Sequence, residues 1–141
     1  MKETLEGLED RRRQLHRQIA EAGDFRRGII SVNYRKCGKS NCACAQRGHR
    51  GHGPQYLWNT TVGGKSRAAN LRLGPELEKV QQEVDNYRRF AELTKELVEV
   101  NEKICHLRPA RLIGDEQELE TLKKTLSRRF GRKPRRKSSG S

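Results

Sequence analysis

The apolar positions of this chain fall into two rhythms. Leu5, Leu8, Leu15, Ile19 and Ala22 recur at helical spacing, with Arg12 at an intervening position, and predict a helix over residues 2–22 that stops at Gly23. So sparse a stripe suits a helix that pairs with another helix rather than one sunk in a core. A longer run starts at Pro75, with Glu76 and Glu78 near the positive end of the helix dipole, and ends before Pro109. Leu77, Val80, Val84, Tyr87, Ala91, Thr94 and Val98 form one stripe of it, and Phe90, Leu93, Leu97, Val100, Ile104 and Leu107 form a second beside the first. At about 1.5 Å per residue this helix reaches roughly 48 Å, against roughly 32 Å for the first. The first helix is therefore expected to fold back on part of the second as a coiled-coil-like antiparallel hairpin. The remainder is left for a second subunit or a partner helix. Cys105, with apolar neighbours three and four residues away, reads as a small packing residue.

Between the helices the period changes to two. Gly28-Ile-Ile-Ser-Val-Asn-Tyr34 has the β-branched content of a strand, with Ile30, Val32 and Tyr34 on one face. Residues 55–62 and 66–73 make two more, joined through Gly63-Gly64-Lys65, and a Gly-Gly pair supplies the positive φ that a tight hairpin needs. Tyr56, Trp58 and Thr60 share a face, which makes Trp58 a candidate for the sheet's core rather than a stacking platform. The expected class is α+β: a small three-stranded antiparallel sheet with an inserted zinc knuckle, flanked by the two helices. The expected organisation is 1–24 N-terminal helix, 25–74 knuckle and sheet, 75–108 long helix, 109–130 linker and short helix, and 131–141 disordered basic tail. Leu119, Leu122 and Leu126 mark the short helix.

Composition sharpens this picture. Of the 141 residues 32% are hydrophobic and 35% charged, so a single large core is not expected and a metal, a helix pairing or a partner must add stability. The formal net charge is +13, and it is concentrated: residues 25–73 hold 10 basic and no acidic side chains. A folded surface of unpaired cations is what phosphate binding requires. Arg35, Lys36, Lys39, Arg47, Arg50, Lys65 and Arg67 are the candidates for it. No apolar run has the length of a membrane span, and the first residues lack the basic-then-apolar order of a signal peptide, so a cytoplasmic protein without a membrane partner is expected.

Reduced thiols gathered in sequence favour metal ligation over disulfides. The spacing is Cys37-x4-Cys42-x-Cys44, followed by His49 or His52. Three thiolates and one imidazole satisfy tetrahedral zinc, and the longer loop to His52 relieves the tight Cys-x-Cys pair. The alternative is a set of thiols without metal. With no acid between 25 and 73 there is no general base beside the ion, so structural zinc and a non-enzymatic protein are expected.

The string Tyr34-Arg-Lys-Cys-Gly-Lys-Ser-Asn-Cys-Ala-Cys44, with His52-Gly-Pro-Gln-Tyr56 and Gly63-Gly64-Lys65, resembles a family of small bacterial and archaeal proteins of unknown function found near mobile elements. The resemblance extends over roughly 25–107, includes Asn86-Tyr-Arg-Arg-Phe90, and leaves the N-terminal helix outside. It implies a metal-binding accessory protein and favours His52 over His49. Together these readings lead to a zinc-stabilised nucleic-acid-binding protein, with DNA ahead of RNA. The competing expectation is a helical adaptor that recruits or dimerises with another protein, such as a transposase.

Overall fold

A computed structural model describes residues 3–131. The predicted basic tail therefore falls, from residue 132 onward, outside the described residues. The order of elements is α1 (Leu5–Ala20), β1 (Ile29–Arg35), β2 (His52–Val62), β3 (Lys65–Leu71), α2 (Pro75–Leu107) and α3 (Glu116–Phe130). The chain divides after Leu107 into two units. In the second unit, Asp115 caps α3 by accepting from the Glu118 backbone N–H at 2.7 Å, and Glu118 in turn pairs with Arg111.

Thr4 starts α1 because its hydroxyl accepts the Gly7 backbone N–H at 3.0 Å, satisfying one of the donors that a helix start leaves open. The start of α2 is satisfied differently: the Glu76 carboxylate reaches back to the Arg72 backbone N–H at 2.9 Å. The two helices run antiparallel. Glu3 pairs with Lys103 at 3.0 Å, Arg11 with Glu96 at 2.7 Å, and Arg12 donates to the Asn101 side chain at 3.1 Å. Between these polar rims Leu8, Leu15, Val100 and Ile104 are buried, with Leu5, Leu93 and Leu97 packed against them. Arg12, at its seam position, uses its long stem there and keeps its head in a hydrogen bond. Cys105 is exposed rather than packed, because Val100 and Ile104 already take the positions that face α1.

After α1 the chain is strapped along the first half of α2. Phe25 stacks on Phe90 at 4.6 Å between centroids and tilts against Tyr87 at 6.0 Å. The Asn86 amide donates to the Asp24 carbonyl at 2.8 Å, and Arg26 forms an ion pair with Glu83 at 3.0 Å. Val80 and Val84 are buried on this stretch.

The sheet has the order β1-β2-β3, antiparallel throughout. Ile30 faces Trp58, and Val32 faces Tyr56, so these four side chains share one face. That face turns toward the start of α2: Ile30, Val32, Tyr56, Leu73 and Leu77 are among the residues lining an open cavity of ≈ 570 Å³. Trp58 is half-buried rather than a core residue. Its indole N–H donates to the Arg27 carbonyl at 2.9 Å, and the Arg26 guanidinium sits 4.7 Å above its ring. Gly28 makes this possible, since a Cβ there would fall 2.5 Å from the Trp58 indole nitrogen.

Candidate metal centre and its basic surround

β2 begins at His52, three residues earlier than the strand pattern predicts. Gly53-Pro54 hides this start in the sequence, since proline ordinarily demotes a strand. The sheet accommodates it through a register shift between Asn33 and Arg35, beyond which Arg35 pairs with His52. Strand pairing thus brings the last residues of β1 beside the first residue of β2, and residues 36–51 form a closed excursion between them. Gly51 is buried against the Arg35 backbone, where a Cβ would lie 2.7 Å from the carbonyl carbon.

Inside this excursion Cys37, Cys42, Cys44 and His52 present their ligand atoms within 4.8 Å of one another. Cys37 Sγ lies 3.4 Å from Cys44 Sγ, and Cys42 Sγ lies 3.3 Å from His52 Nε2. Around one tetrahedral ion, sulfur and nitrogen ligands at about 2.0–2.3 Å would stand roughly 3.5–3.8 Å apart. The four side chains fit such an ion with small adjustments. A single 3-10 turn at Ala43–Ala45 places Cys42 and Cys44 on the same side despite their tight spacing, and Cys44 is 1% exposed. His49 is not part of the cluster: its Nδ1 accepts the Gly51 backbone N–H at 2.9 Å.

Proton affinities are displaced at Cys37, Cys44 and His52. The Cys37 thiol is lowered to about 6, first by the Lys39 backbone N–H and then by Cys44 and His52. Cys44 moves upward, because burial and the neighbouring thiols outweigh the Cys37 backbone N–H that favours its thiolate. His52 is raised by hydrogen bonding to Cys37 and then Cys42. A cation entering the cluster would take the place of these shared protons.

The candidate phosphate-binding side chains surround the cluster and the sheet ends. Arg35, Lys36, Lys39, Arg47 and Arg50 lie at the knuckle, while Lys65 and Arg67 lie at the β2–β3 turn, and all seven are exposed. Arg50 rests over the Tyr34 ring at 5.0 Å. Among the described residues, none of the seven has an acidic partner. Arg26 does have one in Glu83.

Sequence reasoning missed the strap. Phe25 carried no periodic signal, although the Asn86-Tyr-Arg-Arg-Phe90 string held its partners.

The fold and the cluster define an α+β protein with a Cys3His group able to hold a metal ion. The chain belongs to the DUF6788 family, a domain of unknown function, whose model matches residues 5–82. The matched span takes in α1, which the motif resemblance had left outside, and stops before Asn86-Phe90. No match was found among curated proteins or among solved structures.

Proposed function

We propose that this protein is a non-enzymatic DNA-binding accessory protein whose sheet module is fastened by structural zinc. The observation that carries the reading is the set of seven exposed cations without acidic partners among the described residues, arranged around the cluster and the sheet in a segment with no acidic residue. Three thiolates and an imidazole select zinc among common ions, and four protein ligands leave no open position for a reacting water. Arg35, Lys36 and Lys39 adjoin Cys37, so an ion there would hold their backbone still while they meet phosphates. The resemblance of the knuckle motif to proteins near mobile elements supports DNA over RNA, and reduced cysteines suit the cytoplasm. Among the described residues no helix is long and apolar enough to cross a membrane.

The adaptor reading drew on the Phe90, Leu93, Leu97, Val100 and Ile104 stripe; α1 occupies it from Leu93 to Ile104, and Phe25 stacks on Phe90. What stays uncovered on α2 is thinner, with Val98 and Leu107 exposed. A coiled-coil-like hairpin that dimerises through this remainder is compatible with DNA binding and adds a second copy of the basic surface.

The test is retention on duplex DNA across a salt series. With about five phosphate contacts, log affinity falls against log salt with a slope of about −4 to −5. Arg35→Glu/Lys36→Glu/Lys39→Glu should weaken binding by more than tenfold and flatten the slope by about three. Unchanged retention by this variant would sink the reading.

A further inference from the structure

The face of the sheet that turns away from α2 has an unusual composition. Register places ten positions on it, two of them Asn33 and Gln55 directly opposite each other, and a third Asn70, opposite Leu57. Not one of the ten is charged, in a chain whose residues are 35% charged. Seven carry an amide or a hydroxyl. A face that merely keeps a protein soluble is built from interspersed Lys and Glu, and Asn is depleted in strands.

Four of these polar positions are held within the sheet, in two pairs. The Asn59 amide donates to Ser31 Oγ at 2.7 Å, and Thr61 and Ser66 hydroxyls meet at 3.3 Å. By contrast, the side-chain amides of Asn33, Gln55 and Asn70 are exposed and have no hydrogen-bond partner among the described residues. Cross-strand and diagonal neighbours on one sheet face stand about 5–8 Å apart. Base pairs stacked about 3.4 Å apart would meet such amides at intervals of one to two steps. Cations lie at both ends of the sheet: Arg35 pairs beside His52 at the knuckle end, and Lys65, opposite Val62, stands at the turn end on the Tyr56–Trp58 face.

We infer that Asn33, Gln55 and Asn70 read base edges in the major groove of duplex DNA. This inference rests on the DNA-binding reading above and adds to it the source of sequence preference. An amide offers a donor and an acceptor side by side, the complement of adenine N7 and N6, so the preferred site contains adenines within a few base pairs. Strands are known to enter the major groove, whereas the deep, narrow groove of duplex RNA does not admit them. The knuckle cations position the sheet on phosphates, and the uncharged face discriminates.

The experiment is selection of the full, metal-loaded chain on a random-sequence DNA duplex pool, followed by titration of the selected duplex, a scrambled duplex and the RNA duplex of the selected sequence. An adenine-containing motif should emerge. Asn33→Ala/Gln55→Ala/Asn70→Ala should weaken binding to the selected duplex about tenfold for each amide–adenine pair lost, and leave the scrambled duplex and the salt slope unchanged. Gln55→Glu should move the preference at one position from adenine to cytosine, whose exocyclic amine a carboxylate accepts. If the triple variant fails to fold by circular dichroism and zinc content, Gln55→Glu decides alone. Binding without sequence preference, a preference that survives these substitutions, or tighter binding to the RNA duplex would overturn the inference while leaving cation-driven binding in place. Absence of binding to any nucleic acid would overturn both.

Discussion

The helical pair and the sheet module are built on opposite terms. α1 and α2 meet over Leu8, Leu15, Val100 and Ile104, an apolar seam closed by polar rims. Across residues 25–74 of the same chain, Cys44 is the buried side chain among the described residues. A sheet without an apolar core must be held by something other than burial, and the one side chain it does bury belongs to the candidate metal centre. Hydrophobic burial is spread over many weak contacts, whereas a metal site concentrates its stabilisation in four ligands. The first tolerates erosion at its edges; the second is lost at once.

Removing the metal should have the largest effect. Purified without an affinity tag, the protein should hold about one zinc per chain by elemental analysis. Structural zinc in small domains contributes on the order of 10 kcal/mol, so a strong chelator should unfold the sheet and leave the helical pair standing. Trp58, the single tryptophan, reports on the sheet, and far-ultraviolet circular dichroism reports on the helices. A fluorescence change with little loss of helix is the expected result, and a metal-free chain with unchanged Trp58 emission would break the comparison.

Leu15→Ala attacks the other region. Leu15 is 0% exposed, and emptying such a site destabilises by about 2–5 kcal/mol. The helical melting transition should fall while zinc content stays at the wild-type level. Gly51→Ala acts inside the knuckle, at φ +100 and against the Arg35 backbone, so about 1–3 kcal/mol of strain is expected. It should appear as weaker zinc retention with unaltered helix content, read by competition with a chromogenic chelator.

The smallest effect lies at the junction of the two regions. Glu83 is held below the ordinary carboxylate range by Lys79 first and by the Arg26 charge after it. A depressed folded pKa means that the contribution is present above the unfolded value near 4.5 and is lost as pH falls through the folded one. Glu83→Gln should therefore melt slightly below wild type at neutral pH, and the difference should close in acid. A gap that stayed constant from pH 7 to pH 3 would remove the ion pair from the account.

The local features of this protein could be read without coordinates. Spacing alone located both long helices, because an apolar stripe must repeat with the helix turn. The Gly63-Gly64 turn was equally legible, and both residues take positive φ, at 58° and 78°. The cysteines and the acid-free stretch announced themselves by type and position. The sequence thus determined the elements, the ligand set to within a choice of histidine, and the sign of the surface.

Only the tertiary structure decided how these parts meet. His52 joins the cluster because a register shift lets Arg35 pair across Gly53-Pro54, and register is a relation between strands that neither strand encodes by itself. Phe25 packs on Phe90 across more than sixty positions of chain, a meeting with no periodic signature. The stripe that looked available for a partner is covered by α1, since which of two adjacent stripes a helix buries depends on what folds against it. The uncharged face likewise exists only once three strands align their alternate residues, so its amides, scattered from Asn33 to Asn70, become a surface through pairing and not through spacing.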